Sequence, residues 1–429
     1  MKEGTHHDLC RAPAVLFWGK LLRVLCSTLL FSGFLAGGAL RAQDSGGSDR
    51  TATMQLGPAK LDITGSFEVE FNDNINFSRT DRVADIILRP GLVLSASDKL
   101  NDNNTVALQM GIAWDEYLIH EYLSSYSNFA DISPESKLAY TIRIPPFTFS
   151  VYDSFNYSVQ PTDALDFNPA TGKILTTVRD FGRFMNQFGI TGDWDLNKVV
   201  LYGGLYRADV FPESSAFNFL RRWQYTASAG IRYDISPKLQ AKLDVNYTLN
   251  YYKVHLENDS SSWYIGGTLS GALGNTITAN ATVGFAGYNF DHNGSNGDFS
   301  QPSTITGALS LSQKLSNNLQ HTFTLTRSSS FGYVSNTITI DRVDYKIELQ
   351  HFLFPLMTGT LELYYETGAD SGGLAPENYD KYVISPSVNY KLSKRASWYA
   401  SYQFTDKFSN FYDRTYYQNQ FIIGFRYEF

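Results

Sequence analysis

From Lys60 onward the chain alternates apolar and polar side chains with a period of two. Leu61, Ile63, Gly65, Phe67, Val69 and Phe71 hold one set of positions; Asp62, Thr64, Ser66, Glu68 and Glu70 hold the other. Successive side chains of a β-strand point to opposite faces, so this stretch predicts a strand with one apolar face and one wet face. The rhythm returns at 86–94, 106–114, 138–144, 147–159, 184–194, 199–210, 223–235, 239–251 and 263–273. It continues at 277–288, 304–313, 321–327, 338–351, 357–366, 382–392, 398–404 and 418–429. About eighteen strands are predicted, with Asp153 interrupting the apolar face of the fifth and suggesting a bulge or a polar rim position.

The connections sort by length. Short ones, rich in turn formers, lie at 98–103, 145–146, 195–198, 236–238, 274–275, 316–318, 352–356 and 393–395. Long ones alternate with them at 72–85, 116–135, 160–181, 211–222, 253–262, 289–303, 328–337, 368–380 and 405–417. A soluble sandwich has no reason to sort its loops this way. Short inner turns and long outer loops are the pattern of an outer-membrane barrel, in which lipid lies outside and water inside. Lipid offers no partner to a backbone N–H or C=O, so a spanning sheet must close on itself. The fold predicted is therefore all-β: a transmembrane, antiparallel, up-and-down β-barrel.

The final stretch is the most telling. Phe421, Ile423, Phe425, Tyr427 and Phe429 alternate with Gln420, Ile422, Gly424, Arg426 and Glu428, and the sequence stops on an aromatic residue. Such an ending resembles the terminal signature of bacterial outer-membrane barrels. The resemblance implies an assembly signal at Tyr427 and Phe429, read by the barrel assembly machinery. Closure would pair this strand with the first, 60–71.

Composition agrees. Of 429 residues, 15% are aromatic and only 18% charged, as a membrane barrel requires. Aromatics near strand ends (Trp114, Tyr117, Trp194, Trp223, Tyr251, Trp263, Tyr382, Trp398 and Phe429) are expected to form interfacial girdles. Residues 1–42 differ from the rest: Lys20 and Arg23 precede an apolar run that ends in small residues and Leu40-Arg41-Ala42, a secretory signal peptide. Residues 43–58 read as a flexible polar leader, and 59–429 as the barrel. Both cysteines, Cys10 and Cys26, fall within the signal, which excludes a disulfide framework, a thiolate metal site or a Cys nucleophile from the mature chain. Cleavage after Ala42 removes five Lys/Arg and two acids, leaving 30 bases against 40 acids, about −10 net. That balance gives no support to nucleic acid as a partner, and none is expected.

Polar positions facing inward would line a lumen. The candidates are Asp62, Glu68, Glu70, Asp115, Arg183, Arg232, Lys242, Asp244, Asp344, Lys346, Glu348, Glu362, Lys391, Arg426 and Glu428. Their net acidity leans toward cation preference. Tyr252, Tyr264 and Tyr288 are inward aromatics on which sugars could stack. The loop Asp291-His292-Asn293-Gly294-Ser295-Asn296-Gly297-Asp298 resembles a calcium loop in part, but lacks Gly at its sixth position and has Pro302 where Glu is wanted. His120, His255, His292, His321 and His351 have no metal-ligand spacing. No cofactor, no metal and no catalytic residue are expected.

The segment 67–96 resembles the opening of a family of outer-membrane β-barrel porins, most of them uncharacterised and some encoded beside exopolysaccharide genes. The match rests on Asn72-Asp73-Asn74, Asp85 and Arg89-Pro90-Gly91-Leu92, together with Tyr152-Asp153-Ser154-Phe155 and Pro161-Thr162-Asp163. The resemblance implies a passive conduit for small hydrophilic solutes in the outer membrane. It leaves open a component of polysaccharide export, with polysaccharide as a partner, or an adhesive barrel with a plugged lumen.

Overall fold

The computed structural model describes residues 54–57, 59–124, 132–158, 167–168, 173–174, 182–213, 215–294, 301–331, 337–371 and 376–429. The expected signal peptide lies outside them. Eighteen long strands make one sheet. They are β1 (Ala59–Asn72), β2 (Asp85–Asn101), β3 (Asn104–Ala113), β4 (Ile132–Ile144), β5 (Phe147–Ser158) and β6 (Arg183–Asp195). Next come β7 (Val199–Pro212), β8 (Arg222–Ser236), β9 (Leu239–Tyr252), β10 (Ser260–Leu273), β11 (Ile277–Phe290) and β12 (Ser303–Lys314). The last are β13 (Leu319–Phe331), β14 (Thr337–Gln350), β15 (Met357–Ser371), β16 (Asn378–Lys391), β17 (Ala396–Ser409) and β18 (Tyr416–Glu428).

Each strand pairs antiparallel with its sequence neighbours, and β18 pairs back onto β1 from Asn72↔Gln420 to Thr64↔Glu428. The expected closed up-and-down barrel is borne out, and so is the pairing of its last strand with its first. The ring leaves no long edge for edge-to-edge aggregation. One face of every strand carries exposed apolar side chains, as with Phe421, Ile423, Phe425 and Tyr427 on β18 or Phe147, Phe149, Val151 and Phe155 on β5. That inside-out distribution is the mark of a sheet whose outer solvent is lipid.

Three local expectations change. Residues 54–56 of the supposed leader pair with Leu61, Lys60 and Ala59, and Gly57 takes a positive φ of 63° at the turn between them. A two-residue link (57–58) and the free edge at the foot of β1 suffice for this small hairpin. Asp153 sits in regular register opposite Leu138 and Phe188, its carboxylate accepting from Asn186 Nδ2 at 2.8 Å. The irregularity falls instead on the facing strand, between Ile132 and Ser136. Finally, Tyr117 does not join a girdle. It pairs with Ile87 and is buried with Ile75 and Leu123, because a residue three places after outward Trp114 faces the other way.

Strands also run further than the apolar alternation does. Asn378–Lys381, Asp406–Ser409 and Ser328–Phe331 are polar or mixed yet each pairs with a neighbouring strand. Lipid contact sets the alternation, whereas backbone pairing continues above the lipid.

Candidate functional site: the barrel lumen

Directly paired residues share a face, so the register carries inward identity around the ring. It places Asp62, Glu68 and Glu70 (β1), Arg183 (β6), Arg232 (β8), Lys242 and Asp244 (β9) opposite the exposed apolar face. Asp344, Lys346 and Glu348 (β14), Glu362 (β15), Lys391 (β16), and Arg426 and Glu428 (β18) lie on the same inner face. Asp115, just past β3, stands level with Arg89. Of these fifteen, some are gathered into clusters and others are spread singly: Glu348 faces Thr360, Lys391 faces Ser397, and Arg426 faces Ser66 and Ser397.

The first cluster straddles the seam. Arg89 grips Asp115 in a two-pronged pair, Nε to Oδ1 at 2.5 Å and Nη2 to Oδ2 at 3.2 Å. Its Nη1 reaches Glu68 at 3.4 Å and Glu70 at 3.5 Å on β1. Tyr399, two strands away on β17, donates its hydroxyl to Glu68. Its ring crosses β18 directly over Gly424, where a Cβ would collide with it. Above this level, Asn72 accepts from the Asn74 backbone at 3.0 Å and from Gln418 Nε2 at 3.1 Å. Gln420 donates to Glu70 at 3.1 Å, and Asn419 donates to Asp73 from its backbone at 2.7 Å and its side chain at 2.8 Å. Fully buried Asn74 bonds the Tyr417 carbonyl at 2.7 Å. Asp85, also fully buried, ties down the next loop through the backbone N–H groups of Ile119 and His120 and through His120 Nδ1 at 2.8 Å. The motif Asn72-Asp73-Asn74, Asp85 and Arg89 is thus a clamp that holds the seam and anchors two loops beside it. Pro161-Thr162-Asp163 lies outside the described residues.

The second cluster centres on Arg342 of β14. Asp344 lies at 2.5 Å, Glu362 at 3.5 Å and Glu366 at 3.8 Å, with the guanidinium 3.7 Å from the centroid of the Tyr364 ring. Tyr379 donates to Glu366 at 2.9 Å and carries Lys407 4.6 Å above its ring. Lys407 and Arg414 in turn share Glu377 at 3.0 and 3.2 Å. On the other side, Asp244 accepts from Tyr202 and lies 3.8 Å from Lys242.

Arg89 and Arg342, the hubs of these clusters, are not among the lumen residues expected from the sequence, nor are Glu366, Lys381 and Lys407. Arg342 and Glu366 fall on the same alternation as Asp344 and Glu362, so the signal was present. Lys381 lies between the expected loop 368–380 and the expected strand 382–392, and Lys407 lies within the expected loop 405–417, where the alternation fails.

The wall from β10 to β13 is different. Its inward positions are Ser, Thr, Gly, Ala, Asn, Gln, Tyr and Phe, with Lys314 at the turn end as the one charge. Hydroxyls bond one another across strands: Thr268 with Thr282 at 2.9 Å, Ser310 with Thr324 at 3.3 Å, and Thr322 with Ser312 at 3.1 Å. Near the loop end a recess of about 640 Å³ opens, lined by Tyr264, Tyr288, Phe331, Thr282, Gln224 and Arg222 among others.

Among the described residues no group of His, Asp and Glu is placed to hold a metal. In the partial calcium loop, Asn293 is engaged with Asp259 instead, donating at 2.8 Å to its carboxylate. Residues 295–298 of that loop lie outside the described residues. His321 is held by Gln313 at 3.1 Å and Tyr345 at 3.3 Å.

No family model matches the sequence, and no curated protein matches it. Solved structures do. A BenF-like porin from Pseudomonas fluorescens Pf-5 superposes with a TM-score of 0.52 at 13% identity, covering 86% of this chain and 99% of the porin. Pseudomonas aeruginosa OccK2 (OpdF), solved in complex with glucuronate, gives 0.52 at 11% identity over 86% and 98%. The outer membrane protein opdK from Pseudomonas aeruginosa gives 0.51 at 11% identity over 86% and 99%. The chain has the barrel fold of these outer-membrane proteins.

Proposed function

We propose that this protein is an outer-membrane porin, a channel rather than a catalyst, through which small hydrophilic solutes pass without a cofactor. The observation that carries this is strand number. A barrel of sixteen to eighteen strands is too wide for its own side chains to fill and leaves an aqueous passage. The wet inner face and lipid-suited outer face fit that role, with outer-membrane lipid as the partner the apolar belt would meet. Mixed charges at Asp62, Arg183, Arg232, Lys346, Glu348, Lys391, Arg426 and Glu428 would then act as a selectivity lining. The last strand, ending on Tyr427 and Phe429, would be what the assembly machinery engages. Supporting this, Phe429 donates its N–H to the Ile63 carbonyl at 2.9 Å and lays its ring over Gly65, so the terminal residue completes the seam.

Reconstitution in a planar bilayer tests the reading. Discrete, ohmic conductance steps are expected from the refolded barrel; a folded, heat-modifiable barrel with no conductance would refute the channel.

A further inference from the structure

We infer that the neutral wall β10–β13 carries a carbohydrate-binding subsite, with Tyr264 as its stacking platform and a neutral oligosaccharide as its ligand class. The inference rests on the porin reading for access, and deepens it by naming a solute class.

Three observations converge. The ring of Tyr264 lies against the backbone of Gly266 on its own strand and Gly284 on β11, where added Cβ atoms would collide with it. Glycine here is what lets the ring lie flat on the wall, leaving its other face toward the lumen. Thr306 stands in the same lining as Tyr264. Tyr288 stands beside it, edge-on to Phe331 with centroids 5.1 Å apart, and forms the apolar side of the recess.

The polar partners suit sugars. Gln224, Asn246, Thr248, Ser262 and Thr282 line the same space. A hydroxyl both donates and accepts, and a primary amide presents both functions side by side, which is what vicinal sugar hydroxyls require. The recess, at about 640 Å³, falls in the range of small-molecule sites, about 300–1,000 Å³.

Charge points the same way. Arg327 is paired with Asp341 at 2.8 Å, and Arg222, which donates to the Tyr252 hydroxyl at 3.0 Å, leaves one guanidinium charge in the lining. Among the described residues no carboxylate lines the recess. A basic solute finds no counter-charge here, and an acidic one meets only a guanidinium already engaged by the Tyr252 hydroxyl.

The test uses single-channel recording of the full barrel with maltohexaose as probe. Transient, concentration-dependent interruptions of the current are expected. Tyr264→Ala should raise the half-blocking concentration about ten-fold, the loss of one aromatic face. Tyr264→Phe should preserve most of the block, and heat-modifiable migration checks that both variants fold. An undisturbed current up to the solubility of the sugar, or equal block in Tyr264→Ala, overturns the inference and leaves the porin reading intact. Block by a galacturonic-acid oligomer but not by maltohexaose overturns it as well. If the barrel conducts nothing, calorimetric titration of the detergent-solubilised protein with maltohexaose decides separately. Heat that disappears in Tyr264→Ala supports the subsite, and its absence in the wild type overturns it.

Discussion

Two arcs of the same lumen wall are built from different chemistry. From β14 around to β2, charges are gathered on guanidinium and ammonium hubs; from β10 to β13, uncharged hydroxyls bond one another in pairs. The charged arc contains the seam, the one place where adjacent strands have no turn to join them. Arg89, Tyr399, Gln418, Gln420 and Asn419 all reach across it or brace it. The hydroxyl arc is held by continuous hairpins and has no such task. Much of the lumen's charge therefore serves closure, and the quiet arc is the one left free for solute.

The hardest test of that contrast is at the chain end. Deleting Phe429 should abolish most assembly, because the residue completes the β1–β18 ladder at its foot. The folded fraction on an unheated gel is the readout, and wild-type levels would break the argument. Removing a hub comes next. Arg89→Met leaves Glu70 and Asp115, whose side chains are only 7 and 8% exposed, without their cation. The expected loss is about 3 kcal/mol, read from urea unfolding in detergent.

A matched pair of glycines compares the arcs directly. Gly424→Ala should cost about 2 kcal/mol, since it displaces Tyr399 and breaks the strap to Glu68. Gly284→Ala meets the Tyr264 ring first and should cost about 1 kcal/mol. Equal losses would mean that the strap contributes nothing to closure. The smallest effect is expected at Glu362→Gln, whose side chain is 40% exposed to the lumen. Stability should stay within about 0.5 kcal/mol. The reversal potential in a salt gradient should move toward anion preference, since one negative charge leaves the charged arc.

The barrel was legible in the sequence because lipid imposes a strict rule on every second residue. Phe67, Val69 and Phe71 obey it, and so do Phe421, Ile423 and Phe425, which proved to be their neighbours. Inward residues answer to no such rule. Glu68 reads as one more polar position until the register sets it beside Arg89 and brings Tyr399 over Gly424. Arg89 itself was hidden in Arg89-Pro90-Gly91-Leu92, which reads as a motif rather than as a lumen residue. Lys381 and Lys407 were lost for a different reason, since the ladder outlasts the lipid that writes the pattern. Tyr264, by contrast, was visible by parity alone; that its ring lies on Gly266 and Gly284 was not.

The bond from Phe429 to the Ile63 carbonyl sets the end of the last strand beside the foot of the first. In a ring built only of nearest-neighbour hairpins, that makes the starting point of the gene arbitrary. A short linker could join Phe429 to β1 and the chain could be reopened at Gly274, giving a circular permutant with the same wall. Such a permutant would start at β11 and end on β10, with Leu273 in place of the terminal Phe429. Its seam would then lie in the hydroxyl arc, with neither the ionic clamp nor the aromatic terminus, so what separates the two arrangements is the ease of closing the ring and not the shape of the ring once closed.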